Sequence, residues 1–121
     1  MSAPNQFLIY VTDTERSTRF YSELFDMEPV FVAPAYVAFE IAPGVLFALW
    51  SRHGETITSE TPRLSEVGLM VPGSGEKVDE VYAEWRARGV TVVEEIRDDI
   101  FGRTFVIADP DGNRIRVAPV D

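Results

Sequence analysis

Hydrophobic and polar residues follow the same order in two successive stretches of this chain. The first stretch begins with the apolar run Phe7–Val11, whose β-branched and aromatic residues are typical of a strand. Thr12 and Glu15 have the spacing of a capping box, so a helix is predicted to begin there. Apolar residues then recur at i and i+4 until Pro29, before which the helix should end.

Three further strands are predicted in the first stretch. They cover Val30–Ala33, Tyr36–Ala42 and Val45–Trp50, and they are separated by Pro34 and by the turn Pro43–Gly44. Proline and glycine interrupt strands and favour turns, so these positions bound the predicted elements.

The second stretch repeats this order. Glu66–Val71 reads as a strand, and a helix with an apolar stripe is predicted between Pro72 and Gly89, where the glycine supplies a left-handed stop. The remaining strands are Thr91–Ile96, Thr104–Ala108 and Arg114–Pro119.

The repeat predicts the organisation of the chain. We expect an α+β fold in a single domain, 1–121, with one βαβββ module over 1–53, a linker over 54–64 and a second βαβββ module over 65–121. A supersecondary repeat of this kind leaves an apolar face that it cannot bury alone, so each module needs the other.

Alternation within the strands predicts which side chains share a face. If Phe47 and Leu49 pack under the helix, then Ala48 and Trp50 point to the opposite face of the sheet. A shift of one residue would invert this assignment. The family resemblance that the motifs below carry implies the same inward, ligand-facing phase for the following residues: Gln6, Leu8, Tyr10, Leu46, Glu66, Gly68, Met70, Arg114 and Arg116.

Composition excludes several classes of function. The net charge of −9 would repel a polyphosphate backbone, so we expect no nucleic-acid partner. No apolar stretch approaches the ~20 residues that span a bilayer, and the N-terminus lacks the pattern of a signal peptide. Cysteine is absent, which excludes disulfides and thiolate metal ligands. A cytoplasmic protein without membrane attachment is the expectation.

Candidate catalytic groups are few. His53 is the single histidine and directly precedes the predicted linker, and the sequence has neither a cysteine nor a Gly-x-Ser-x-Gly motif to accompany it. The segment Asp109–Gly112 has the composition of a type I turn, which we interpret as structural. We therefore expect no catalytic residues.

Several motifs nevertheless resemble those of one known family. The segments Glu15–Tyr21 and Phe101–Val117, with the turn Asp109–Gly112 inside the second, resemble the glyoxalase, bleomycin-resistance and extradiol-dioxygenase superfamily, the vicinal oxygen chelate proteins. The resemblance implies paired βαβββ modules that form a U-shaped cavity. In the enzymes of that superfamily, four side chains in the cavity hold a divalent metal. The residues at those positions here are Gln6, Ala48, Glu66 and Arg116.

These four residues argue against a metal centre. Ala48 has no donor atom, and the amide of Gln6 is a weak ligand for a divalent ion. The guanidinium of Arg116 would be repelled by such an ion. Arg116 is instead expected to form an ion pair with Glu66, and we predict neither a metal nor another cofactor.

A closer resemblance is to the phenazine-resistance members of the superfamily, and it is carried by Tyr36–Phe39, Leu46–Ser51 and Ile100–Phe105. It implies a metal-free homodimer that sequesters a planar aromatic antibiotic, with the ring system stacked on Trp50. The ligand-binding residues predicted in this way are Phe31, Tyr36, Phe39, Trp50, Ser51, Glu66, Met70, Phe101 and Arg116.

Two other functions stay open on the sequence alone. The first is a metal-dependent lyase or dioxygenase of the same superfamily, which metal content would distinguish from a binding protein. The second is a domain whose pocket has no physiological ligand, which a panel of phenazines and other antibiotics would test.

Overall fold

The computed structural model describes residues 3–51, 57–100 and 102–120. The chain separates into two compact units, Met1–Thr61 and Pro62–Asp121. Within the described residues, each unit contains one helix and one four-stranded mixed sheet, in the order βαβββ. The predicted α+β fold is therefore confirmed. His53 and residues 54–56 of the predicted linker lie outside the described residues.

The first unit consists of β1 (Gln6–Tyr10), α1 (Thr14–Phe25), β2 (Phe31–Ala33), β3 (Tyr36–Ala42) and β4 (Val45–Trp50). Its strands lie in the order β1-β4-β3-β2. Strands β1 and β4 are parallel, whereas β3 pairs antiparallel with both β4 and β2. Strand β4 therefore lies between the first strand of the unit and the hairpin that precedes it in sequence.

Helix α1 begins one residue later than the capping-box spacing predicted. Its N-cap is Asp13, whose carboxylate accepts a 3.1 Å hydrogen bond from the backbone N–H of Arg16. Thr12 instead accepts a hydrogen bond from the Arg16 guanidinium. An ionised carboxylate is a good N-cap and interacts favourably with the helix dipole, which explains why Asp13 takes this role. The helix ends at Phe25, with Asp26 as its C-cap, before Pro29 as predicted.

The core of the first unit lies between α1 and one face of its sheet. The ring of Tyr21, on α1, meets the ring of Phe47 edge to face at a centroid distance of 5.1 Å. Phe39 lies beside Phe47 on the adjacent strand, with the two rings 6.3 Å apart. The predicted phase of β4 is therefore confirmed, and Ala48 and Trp50 belong to the opposite face.

The second unit consists of β5 (Glu66–Val71), α2 (Gly75–Ala87), β6 (Thr91–Asp99), β7 (Gly102–Ala108) and β8 (Arg114–Pro119). Its strands lie in the order β5-β8-β7-β6, with β5 parallel to β8. This arrangement repeats that of the first unit. Gly89 has a left-handed φ of 85°, which confirms the predicted stop after α2.

Strand β6 is three residues longer than predicted. Its polar end continues to pair with β7, with Arg97 opposite Thr104 and Asp99 opposite Gly102. The sequence predicted an end at Ile96 because hydrophobic alternation stops there. The polar residues remain in the strand because Arg97 forms ion pairs with Glu94 and Asp99.

The core of the second unit is built on α2 and the facing side of its sheet. Trp85 meets Phe105 edge to face at 5.8 Å, and Tyr82 lies 4.9 Å from the same ring. Ile115 and Val117 of β8 are fully buried, as their phase predicted. Arg114 and Arg116 alternate with them and therefore belong to the face of this sheet that is turned away from α2.

The turn Asp109–Gly112 is held by hydrogen bonds of its own. The buried carboxylate of Asp109 accepts 2.8 Å bonds from the backbone N–H groups of Asp111 and Asn113. Its second oxygen accepts from the Asn113 side-chain amide. Gly112 has a φ of 87°, which favours glycine. These bonds account for the residue types in the turn, in agreement with the structural role predicted for it.

Candidate ligand-binding site

Aromatic side chains form a row on the face of the first sheet that is turned away from α1, which we call the helix-free face. Tyr10, Trp50 and Tyr36 are direct neighbours on β1, β4 and β3. The rings of Tyr10 and Trp50 lie 6.1 Å apart, and that of Phe31 on β2 lies 5.9 Å from Tyr36. Phe31 is 55% exposed. The face therefore presents four aromatic rings on adjacent strands.

A second row on the same face has small residues at its centre. Leu8, Ala48, Ala38 and Phe31 are direct neighbours across the four strands. Ala48 and Ala38 are 0% and 1% exposed, so the centre of this row, which we call the floor, is covered by other parts of the protein. The accessible surface around it is formed by larger residues such as Leu8 and Phe31 and is apolar, which suits a flat aromatic molecule.

A hydrogen bond crosses this floor. The side-chain amide of Gln6 donates to the Tyr36 hydroxyl at 2.9 Å. Gln6 is opposite Leu46 on β4 and Tyr36 is opposite Trp50, so the row that contains Ala48 lies between them. The bond places two polar groups over an otherwise apolar surface.

Three of the predicted site residues in the first unit, Phe31, Tyr36 and Trp50, share the helix-free face. Ser51 follows directly after β4, and its backbone N–H donates to the carbonyl of Ala35 at 2.9 Å. This bond ties the end of β4 to the residue before Tyr36, next to the aromatic row.

Phe39 does not belong to this face, and its prediction as a ligand-binding residue is wrong. It lies three residues after Tyr36 in the same strand, and an odd spacing places two side chains on opposite faces. Its ring packs beside Phe47 on the α1 side, with none of its surface exposed. Phe39 is therefore a core residue.

In the second unit, Arg116 and Glu66 form the predicted ion pair. The Arg116 Nε lies 2.7 Å from Glu66 Oε1, and its Nη2 lies 3.1 Å from Oε2. Two parallel hydrogen bonds of this kind fix the orientation of both side chains. Arg116 also donates to the hydroxyl of Thr104 at 3.2 Å.

This pair belongs to a larger ionic network. Arg114 donates to Glu66 at 3.3 Å and to Glu94 at 2.6 Å. Glu94 also accepts from Arg97, which in turn contacts Asp99. The six side chains comprise three guanidinium and three carboxylate groups, so their charges balance. They are Glu66, Glu94, Arg97, Asp99, Arg114 and Arg116.

The network changes the acidity of its members. The hydrogen bond from Arg116 lowers the pKa of Glu66, and burial opposes this effect by raising it. The positive charges of Arg116 and Arg114 lower the pKa further. The hydrogen bond to Glu66 raises the pKa of Arg116 further above its ordinary value. Both groups are therefore ionised at neutral pH.

Two predicted ligand-binding residues remain, Met70 and Phe101, and the structure describes only the first of them. Met70 is 57% exposed on β5, two positions beyond Gly68, which pairs with Arg116. Met70 therefore lies on the same face of the second sheet as Arg116 and Glu66. Phe101 lies outside the described residues.

The four positions that hold a metal in the superfamily's enzymes do not fit one in this chain. Ala48 offers no donor atom, and both carboxylate oxygens of Glu66 accept hydrogen bonds from guanidinium groups. Arg116 is itself a cation. Within residues 3–51, 57–100 and 102–120, no three His, Asp or Glu side chains are grouped so that they could hold a metal ion.

Sequence reasoning missed the partners of two side chains. The bond between Gln6 and Tyr36 joins residues 30 positions apart, and no local pattern signals it. Glu94 was also missed as a member of the ionic network. Its signal was a carboxylate inside a predicted apolar strand, because a charged residue in such a strand indicates a charged partner nearby.

The fold and these residues define the class of protein. A profile of the "Glyoxalase/Bleomycin resistance protein/Dioxygenase superfamily" matches residues 3–117, and the chain belongs to this superfamily. The "Phenazine antibiotic resistance protein EhpR" of Enterobacter agglomerans is 50% identical to it. That match covers 98% of this chain and 92% of the relative.

Solved structures agree with this assignment. A protein from Agrobacterium tumefaciens, determined by NMR in solution, has a TM-score of 0.84 and 34% identity and covers 100% of this chain and 99% of its own. A glyoxalase-related enzyme from Fulvimarina pelagi has a TM-score of 0.80 at 24% identity, over 99% of this chain and 89% of its own. The second likeness shows the fold alone.

The structure also bears on the membrane prediction. Among the described residues, no helix is long and apolar enough to cross a membrane.

Proposed function

We propose that the protein binds a planar aromatic small molecule of the phenazine class and confers resistance by sequestering it, without a metal and without chemical change. The observation that carries the proposal is the row of Tyr10, Trp50 and Tyr36 on adjacent strands. Aromatic pairs in offset or edge-to-face geometry contribute about 0.5–1.5 kcal/mol beyond the burial of area. A tricyclic ligand large enough to meet two of these rings gains this contribution twice.

The relative EhpR supports the choice of ligand class. Its name assigns it to phenazine resistance, and half of its aligned residues are identical to those of this chain. The aromatic face gives the resemblance a physical basis, because phenazines are flat and electron-poor and the indole of Trp50 is electron-rich.

The donor set supports binding without a metal. Metal-assisted lyase or dioxygenase chemistry needs ligands that leave an open coordination position. Glu66 is engaged by Arg116 and Arg114, and Ala48 contributes no ligand atom. We propose that this ionic network contributes polar contacts to ligand recognition and that the protein acts in the cytoplasm as a homodimer.

An equilibrium binding experiment tests sequestration against turnover. Isothermal titration of the protein with phenazine-1-carboxylate should give saturable binding, and mass spectrometry of the ligand recovered after prolonged incubation should show an unchanged mass. A modified product formed in proportion to time and protein concentration would contradict sequestration. The absence of binding to any member of a phenazine panel would contradict the ligand class.

A further inference from the structure

The Gln6–Tyr36 pair is a polar feature on an apolar surface. It spans the row that contains Ala48 and lies beside the ring of Trp50 in the adjacent row. In small-molecule sites, a few convergent polar groups on an apolar lining fix the orientation of the ligand and determine its specificity. The pair has the position and the surroundings that such a role requires.

The direction of the hydrogen bond determines what the pair can do. The Tyr36 hydroxyl accepts from the Gln6 amide at 2.9 Å. A phenolic hydroxyl that accepts one bond still carries a hydrogen that it can donate. The amide thus holds the hydroxyl oxygen in place, and the hydroxyl hydrogen is available to an acceptor on a molecule that lies against the aromatic row of the helix-free face.

We infer that the Tyr36 hydroxyl, positioned by Gln6, donates to a ring nitrogen of the bound ligand, so that the site selects nitrogen heteroaromatics over carbocycles of the same shape. This inference rests on the proposed function. A carbocycle against the aromatic row would cover the hydroxyl without offering an acceptor, and a covered polar group without a partner weakens binding. Tyr36 is then the specificity-determining residue, and Gln6 is a positioning residue.

Two ligands that differ only in the ring atoms provide the test. Phenazine-2-carboxylate and anthracene-2-carboxylate have the same outline and the same substituent, and only the first has ring nitrogens. The ratio of their dissociation constants isolates the ring nitrogen from stacking and from area. One hydrogen bond predicts a preference of about 2- to 10-fold for the phenazine in the unaltered protein.

Three variants then assign the preference to residues. Tyr36→Phe keeps the ring but removes the hydroxyl, so the ratio should fall to about one. Gln6→Leu keeps the hydroxyl but removes its positioning partner, so the ratio should also fall, by a smaller factor. Tyr82→Phe is the matched control, because Tyr82 belongs to α2 and packs against Phe105. The ratio of dissociation constants in this variant should equal that of the unaltered protein.

The outcomes separate this inference from the proposed function. Binding of both ligands with equal affinity to the unaltered protein, or a preference that survives Tyr36→Phe, overturns the inference and leaves the proposed function standing. Failure of both ligands to bind overturns both. Circular dichroism and unfolding temperature show that each variant is folded, and the ratio in the unaltered protein tests the inference even if one variant does not fold.

Discussion

Arg116 holds Glu66 through two parallel hydrogen bonds, 2.7 Å and 3.1 Å long, and the family resemblance aligns both residues with metal-binding positions of the superfamily's enzymes. The arrangement removes the carboxylate from metal chemistry by giving both of its oxygens a cationic partner. The two hydrogen bonds offset the conformational entropy that ordering two long side chains costs.

Acid stability should depend on this pair. The pKa of Glu66 is lowered in the folded state, so its contribution is complete above the ordinary value of 4.5 and is lost as pH falls through the lowered value. Glu66→Gln should reduce the free energy of unfolding by about 1 kcal/mol at pH 7, and the difference from the unaltered protein should shrink towards pH 3. Urea unfolding of both proteins at pH 7 and pH 3 measures this difference in the free energy of unfolding.

The exposed Glu28 on the connection after α1 provides the matched control. Glu28→Gln removes the same charge, and its effect on unfolding should be smaller than that of Glu66→Gln at pH 7. Equal effects of the two substitutions at both pH values would show that the ion pair contributes nothing specific.

The protein should purify and bind its ligand without a metal. Neither Ala48 nor Arg116 can serve as a ligand for a divalent ion. Elemental analysis should find well below one transition metal per chain, and EDTA should leave the affinity for phenazine-1-carboxylate unchanged. Stoichiometric metal, together with loss of binding on chelation, would contradict metal-free binding and favour a metal-dependent enzyme.

Substitutions of Phe39 and Phe31 should have opposite effects on stability and on ligand binding. Phe39 is completely buried beside Phe47, so Phe39→Leu should lower the free energy of unfolding by about 1–2 kcal/mol. Phe31 is largely exposed on the helix-free face, so Phe31→Leu should change stability by less than about 0.5 kcal/mol and should weaken ligand binding. Unfolding and titration of both variants would reveal the reverse pattern if the assignment of faces were wrong.

A homodimer is the expected state in solution. Strand β2 is an edge of the first sheet, and Val30, Phe31 and Val32 at this edge are exposed apolar residues. Exposed apolar edges are normally covered, and a two-fold pairing would cover them on both subunits. Light scattering should give about twice the chain mass of 13.6 kDa. A monomer mass across micromolar concentrations would contradict this expectation.

Much of the fold could be predicted because the local signals agreed with each other. Strands β3, β4, β5 and β8 have the predicted bounds, since proline, glycine and hydrophobic alternation mark the same residues. The start of α1 was misplaced because Thr12 and Asp13 are both good caps, and the spacing to Glu15 favoured the wrong one. The end of β6 was missed because hydrophobic alternation stops at Ile96, whereas the polar residues after it still pair with β7.

The candidate site was predicted less completely. Alternation placed Trp50 and Ala48 on one face, and register confirmed it. Phe39 was assigned by residue type, against its own phase relative to Tyr36. The bond from Gln6 to Tyr36 could not be predicted, since it depends on which strands become neighbours in the sheet. Strand order is a property of the whole unit rather than of any local segment.

Stacking of the ligand on Trp50 can be tested by fluorescence, because the chain has two tryptophans that can be removed one at a time. Trp85 is 4% exposed and packs against Phe105, so Trp85→Phe leaves Trp50 as the single reporter. Trp50→Phe leaves Trp85 as the single reporter in the core. Trp50→Ala should weaken affinity by about 1–3 kcal/mol, or roughly 5- to 150-fold, in a protein whose circular dichroism is unchanged.

The direct measurement is a fluorescence titration of these variants with phenazine-1-carboxylate, corrected for absorption by the ligand with free N-acetyltryptophanamide. The account predicts saturable quenching in the Trp85→Phe protein and its loss in the Trp50→Phe protein. A folded Trp50→Ala protein that binds the ligand as tightly as the unaltered protein would show that Trp50 is not the stacking platform.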